Sequence, residues 1–142
     1  IMLDLQMAPH VYSIDKDPEC EWVINDLDKD RETKVVAITE CASAFEYSEY
    51  ENTDNILVIN TSTEHMDQFT FNKWWNQIPN GANYILQGND YHDLDEHIRT
   101  ATDIHDFMRI NNCEKADSGT SWKCDGPDGE YNRFMTWGRY AR

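Results

Sequence analysis

Glycine is scarce and comes late. Only six of the 142 residues are glycine, and the first is Gly81. The first half therefore has no glycine-rich turn of the kind that lets the backbone approach a ligand closely. Long apolar runs are absent too. No window approaches the ~18–20 consecutive apolar residues of a membrane span, and no basic-then-apolar stretch resembles a secretory leader. Positive charge is sparse. Lys and Arg number 12 against 27 Asp and Glu, a net charge of −15. Such a surface repels nucleic-acid phosphates and anionic lipid headgroups, so neither nucleic acid nor membrane is expected as a partner. The four cysteines, Cys20, Cys41, Cys113 and Cys124, form no C-x-x-C pair. A zinc ribbon or thioredoxin-type site is thereby disfavoured. Reduced thiols and a cytoplasmic location are expected. There is no internal repeat and no low-complexity tract.

What the chain does have is a core. Hydrophobic residues make up 39% and aromatics 12%, enough for one ordinary domain spanning 1–142. The sequence opens Ile1-Met2, so further residues upstream are expected. Residues 1–8 are short and apolar and read as the end of a helix closed by Pro9. A strand over 10–14 (HVYSI) ends at Asp15. Asp17 caps a helix with Pro18 at its first position, carrying Trp22, Val23 and Leu27. The charged stretch 26–33 leads to a β-branched strand over 34–39. Residues 56–59 (ILVI) show no alternation, as in a strand buried on both faces of a parallel sheet. Thr70 reads as the cap of a short helix over 71–77 with Trp74 and Trp75, which are expected in the core or an interface together with Trp137. A strand follows over 82–87. Residues 94–110 read as largely helical, with a cap at Thr102. Strands over 121–124 and 131–137 form a hairpin around Gly126 and Gly129. This order predicts an α/β fold, Rossmann-like and doubly wound, with a mostly parallel sheet and an antiparallel C-terminal hairpin.

In open α/β sheets ligands bind beyond the carboxyl ends of the strands. Asp15 stands at the first such end, Glu40 and Cys41 at the second, and the segment 60–66 (NTSTEHM) at the third. Gly88 to His92 stand at the fourth. A carboxylate there can accept both ribose hydroxyls, and a second one a strand away can accept from an adenine amino group.

The residues 11–18 (VYSIDKDP), 38–40 (ITE), 58–66 (VINTSTEHM), 78–81 with 86–90 (LQGND), 96–97 and 131–138 (YNRFMTWG) resemble small class I S-adenosylmethionine-dependent methyltransferases, phage-encoded and marine ones above all. The resemblance runs from about Ala8 to the C-terminus. It implies that Asp15 holds the ribose hydroxyls and that Glu40 faces adenine beside the Cys41 backbone N–H. It places Asn60 beneath the methionine moiety of S-adenosylmethionine. Methyl transfer is implied; the acidic surface leaves small molecules or proteins as acceptors, and Glu64 or His65 is expected either to orient or deprotonate the acceptor or to serve as a helix cap. The glycine-rich loop of that family is not present. Residues 2–5 cannot supply its strand, since a parallel crossover needs roughly a dozen residues. The sheet then lacks a central member and leaves strand edges unpaired. A truncated chain, a partner chain or homo-oligomer covering the open edge, or a rearranged fold would each account for this. A non-catalytic binding or assembly module that has lost the cofactor loop is the alternative function. A phage origin would put the protein in the host cytoplasm.

Two rival constellations remain. His65, His92, His97 and His105 lie among Glu64, Asp90, Asp93, Asp95 and Glu96, and a site of two histidines and one carboxylate is conceivable. The H-x4-H spacing of His92 and His97 matches no strong motif, so polar loop histidines and no metal are expected. Ser62 lies between threonines, without the G-x-S-x-G elbow of a hydrolase. Residues 15–54 hold 13 acids against four bases. They are expected to be a solvated face, or else a surface for a cationic substrate or basic partner.

Overall fold

The computed structural model describes residues 10–29, 35–50, 55–116 and 118–142. The expected helix end at 1–8 lies outside the described residues. The chain divides into two compact units, 1–45 and 46–142.

In the first unit β1 (Val11–Asp15) and β2 (Val35–Thr39) pair in parallel, with Val11 opposite Val35 and Asp15 opposite Thr39. Helix α1 (Pro18–Leu27) joins them. It starts as expected, with Pro18 in the first turn and the Asp17 side chain accepting the Glu19 N–H at 2.9 Å. This satisfies one of the amides that a helix start leaves without an intrahelical acceptor. At the other end Asp28 turns back, and its carboxylate accepts the Val35 N–H at 2.5 Å. Trp22 (70% exposed) and Leu27 (72%) stay outside any core.

The second unit is a four-stranded sheet in the order β3-β4-β6-β5. Strand β3 (Leu57–Asn60) runs parallel to β4 (Asn83–Asn89), and β6 (Gly129–Arg139) runs antiparallel to β4 and to β5 (Ser118–Gly126). The pairing agrees with the expected α/β class and C-terminal hairpin, but the expected mostly parallel sheet is not what this unit holds: two of its three ladders are antiparallel, because β6 turns back between β4 and β5. Among the described residues no ladder joins β1 and β2 to the larger sheet, and β3 is an edge. That corrects the expectation that residues 56–59 form a strand buried on both faces. Leu57 is 39% and Ile59 43% exposed on one face of the strand, while Val58 and Asn60 on the other face are half-buried.

The core gathers under β4 and β6. Phe71, Trp74 and Trp75 of α2 (Gln68–Trp75) are buried with Ile78, Tyr84, Leu86, Phe107, Phe134 and Tyr140. Trp75 meets Tyr84 and Tyr140 edge to face, at centroid distances of 5.0 and 4.9 Å, the arrangement that aromatic quadrupoles favour. Trp74 Nε1–H donates to the Tyr47 hydroxyl at 2.9 Å. Trp74 and Trp75 are therefore core residues, while Trp137 lies 36% exposed on the sheet.

Local capping chemistry moves several boundaries. Asp67, not Thr70, caps α2. It accepts the Thr70 N–H at 2.8 Å and the Thr70 hydroxyl at 2.7 Å, which draws the helix start forward to Gln68. These bonds hold the Asp67 carboxyl below its ordinary pKa. The helix expected over 94–110 is only α3 (Ile104–Ile110), and Asp103 is its cap, accepting the Asp106 N–H at 2.8 Å. Residues 94–102 spend their amides elsewhere: Arg99 N–H donates to Glu64 O (3.1 Å) and Ala101 N–H to Asn89 O (3.2 Å). Helix α3 closes with Asn112 in the left-handed region (φ 54°), Cys113 N–H donating to Met108 O and Asn112 N–H to Arg109 O. This is the pattern that usually calls for glycine, with asparagine as a substitute. Strand β4 runs on to Asn89 and the hairpin strands outrun their sequence limits, because partner residues continue the ladder: Gly88 opposite Phe134, Asn89 opposite Arg133. Asp103→Ala is expected to lower stability by about 1 kcal/mol, measured by urea denaturation.

Candidate functional site

In the first unit the parallel pairing of β1 and β2 ends on the two acids of interest. Glu40 follows β2, and its N–H donates to the Asp15 carbonyl at 2.8 Å. Asp15 and Glu40 are thereby brought side by side at adjacent carboxyl ends. Asp15 Oδ1 accepts the Asp17 N–H at 2.9 Å, so one of its carboxylate oxygens shapes the turn into α1. Cys41 is exposed and begins a turn in which its carbonyl accepts Ala44 N–H (2.8 Å) and Phe45 N–H (3.3 Å). Its Sγ lies 3.2 Å from Ser43 Oγ.

The second unit brings together Asn60, Glu64 and His65. Asn60 ends β3, and its Oδ1 accepts the Ser62 N–H at 3.0 Å while Nδ2 points at Met66 Sδ, 3.3 Å away. The chain then forms a 3-10 turn, Thr63–His65. Thr63 ties this turn to β4 by donating its hydroxyl to Gln87 O at 2.8 Å. Glu64 is only 3% exposed. Its Oε1 accepts from Asn89 Nδ2 at 2.6 Å, and its Oε2 is buried without a hydrogen-bond partner. His65 is exposed beside it.

Sequence reasoning weighed His97 only as one of four scattered histidines. The loop over 94–102, bonded to Glu64 O and Asn89 O, carries it to the turn. The His65 and His97 rings meet edge to face with centroids 4.8 Å apart. His97 Nδ1 lies 2.6 Å from Tyr91 O. The Tyr91 hydroxyl bonds the Asp128 carboxylate, which pushes its pKa up to about 12. His92 instead bonds Thr100, and His105 is exposed on α3. A shallow hollow of about 220 Å³ lies beside Tyr91, lined by Asp90, Asp93, Asp128 and Glu130 among others.

Arg99 escapes a linear reading, because its partners lie far off in sequence; Asn89 stands at the fourth strand end as expected, but its bond to Glu64 does not show in the sequence. Arg99 is nearly buried and spends its guanidinium on Met66 O (2.9 Å), Ile110 O (3.1 Å), Thr63 O (3.0 Å) and Asn111 Oδ1 (3.0 Å). It also covers the Phe71 ring at 4.0 Å. Burial pulls its pKa down to about 10, which leaves it charged at neutral pH. A buried arginine among carbonyls of the 63–66 turn is the fastening that holds Glu64 in place.

The fold is that of a methyltransferase-like, Rossmann-like α/β protein. Its structural neighbours include N-methyltransferase NodS from Bradyrhizobium japonicum WM9, at 13% identity and a TM-score of 0.63, covering 96% of this chain and 78% of that one. NodS in complex with S-adenosyl-L-homocysteine matches at 13% identity and a TM-score of 0.56, covering 94% and 70%. An antibiotic-related methyltransferase matches at 10% identity and a TM-score of 0.55, covering 91% and 75%. No family profile and no curated protein sequence matches the chain. These neighbours support the methyltransferase-like fold and lend no support to a phage or marine kinship. Among the described residues no helix is long and apolar enough to cross a membrane.

Two carboxylates at adjacent strand ends suit the hydroxyls and amino group of a nucleoside. One oxygen of Asp15 is already used in its turn. The described residues offer no glycine cradle for the amino-acid half, the first glycine being Gly81.

Proposed function

We propose that residues 1–142 act as one methyltransferase-like domain that transfers a methyl group from S-adenosylmethionine to a small-molecule or protein acceptor. The observation that carries this reading is the placing of Asp15 and Glu40 side by side at the ends of parallel strands, in a chain whose structural neighbours are methyltransferases. In the first unit Asp15 would accept from the ribose, and Glu40 and the Cys41 amide would meet adenine. When bound, the cofactor supplies an activated methyl group on a sulfonium. The chain's own part is orientation, since such a displacement depends on alignment more than on covalent help. Glu64 is buried and already bonded to Asn89, so His65, exposed next to it, is the residue positioned to meet an acceptor and take its proton. The net charge of −15 favours cationic or neutral acceptors over nucleic acids, and a cytoplasmic setting fits four thiols.

The second reading is a binding or assembly module that keeps the fold without the chemistry. It is favoured by the turn-forming duties of Asp15 and Asn60, whose Oδ1 atoms each accept the N–H two residues on. In this reading the open edge of β3 receives a strand from a partner or a second copy.

Calorimetric titration with S-adenosylhomocysteine separates the two. Saturable heat is expected, weakened at least tenfold in Asp15→Ala, while His65→Ala slows methyl transfer and leaves the heat intact. A folded protein that yields no heat overturns the enzymatic reading and leaves the module.

A further inference from the structure

Buried carboxylates are costly unless each oxygen is satisfied. Glu64 breaks that rule. Its Oε1 is held by Asn89 at 2.6 Å, while Oε2 is buried and has no hydrogen-bond partner. Arg99, whose charge couples to Glu64, directs its N–H groups at Met66, Ile110, Thr63 and Asn111 instead. Something cationic or hydrogen-bonding is missing at Oε2.

One carboxylate oxygen of Glu64 and one ring nitrogen each of His65 and His97 lie within 4.8 Å of one another. We infer that Glu64, His65 and His97 form a binding site for a divalent transition-metal ion of the zinc, cobalt or manganese class. Two imidazoles and one carboxylate are the donor set these ions accept, with further positions left open to water or a substrate donor.

The surrounding bonds suit the role. A carbonyl oxygen only accepts, so the 2.6 Å contact between His97 Nδ1 and Tyr91 O fixes the proton on Nδ1. Nε2 is left with its lone pair available. A backbone carbonyl that orients a histidine through its second nitrogen is the usual support of a metal ligand. Asn89 performs the same service for Glu64 by holding one oxygen and leaving the other to the ion. Ligand atoms around a tetrahedral ion stand about 3.4 Å apart for bonds of ~2.0–2.2 Å. Closing from 4.8 Å therefore asks for a shift of an ångström or so, and His65 is the exposed member able to make it. Two imidazole nitrogens in a donor set of three disfavour calcium or magnesium, which take oxygen ligands.

The inference does not rest on methyl transfer, and its test uses no cofactor. The whole chain, stripped with chelator, is titrated with Co²⁺ and followed by visible absorption. One equivalent is expected, with the d–d bands of a low-coordinate nitrogen and oxygen site. His65→Ala, His97→Ala and the isosteric Glu64→Gln should each weaken binding at least tenfold. His105→Ala should bind as the parent does. An intense near-ultraviolet thiolate band would place the ion on cysteine and overturn the assignment. So would equal affinity in all four variants, or no bands at millimolar Co²⁺. Circular dichroism of each variant shows whether it is folded. Should Glu64→Gln fail to fold, the exposed His65→Ala alone decides. Titration with S-adenosylhomocysteine in chelator reads the other hypothesis separately, so either can fail alone.

Discussion

Arg99→Met is expected to destabilise the second unit by about 3–5 kcal/mol. The methionine fills much of the volume over Phe71 but donates nothing. Met66 O and the Asn111 side-chain oxygen lose their donor at once, while Ile110 O keeps Gln68 Nε2 and Thr63 O keeps the Met66 N–H; each buried acceptor left unpaired costs about 1–3 kcal/mol, less where water enters. The cost falls on Met66, which closes the turn bearing Glu64 and His65, and on Asn111. Arg99→Lys should recover only part of the loss, since an ammonium cannot reach acceptors on several sides as a planar fork does. Urea denaturation measures both. A loss below about 1 kcal/mol for the methionine variant would mean that water replaces the guanidinium, and that the fastening role assigned to it is mistaken.

The second large effect concerns Gly88. Its backbone is ordinary extended strand, so its value lies in what it lacks. A Cβ there would stand 2.7 Å from Phe107 Cε2 and 2.9 Å from Thr63 Oγ1. Both neighbours are themselves buried, Phe107 at 1% and Thr63 at 1% exposure. Neither can yield cheaply: the Phe107 ring lies against Phe134, and the Thr63 hydroxyl is bonded to Gln87 O. Gly88→Val is expected to cost about 3 kcal/mol through overpacking, with Gly88→Ala between it and the parent. Thermal unfolding followed in the aromatic region checks the order. The valine variant should also displace the 63–65 turn, so Co²⁺ binding should weaken in whatever fraction remains folded. Parent-like stability in Gly88→Val would show that α3 and the turn adapt.

The parts of the fold that were legible in the sequence are those set by local chemistry. The run at 35–39 is a strand because β-branched residues crowd it, and Asp17 with Pro18 starts a helix wherever the chain goes next. The hairpin was readable from the glycines that bracket its turn, Gly126 and Gly129, and the polar residues at strand ends from strand ends alone. The less legible parts depend on choices between equivalent groups. Asp67 and Thr70 are both good caps, and so are Thr102 and Asp103; which one serves depends on where the helix must start to pack its aromatics. Apolar content at 56–59 does not reveal how many neighbours a strand has, so β3 read as fully buried and stands as an edge.

By itself the sequence determined an acidic α/β protein with a closing hairpin, and it pointed to Asp15, Glu40, Asn60, Glu64 and His65. Only the tertiary structure decided which of these have company. It joined Asp15 to Glu40 through one backbone bond, and it folded residues 94–102 back so that His97, 32 positions from His65 along the chain, meets it ring to ring. That approach is made of backbone hydrogen bonds to Glu64 and Asn89 and of one buried arginine. Bonds of this kind depend on distance in space and leave no periodicity or motif in the order of residues.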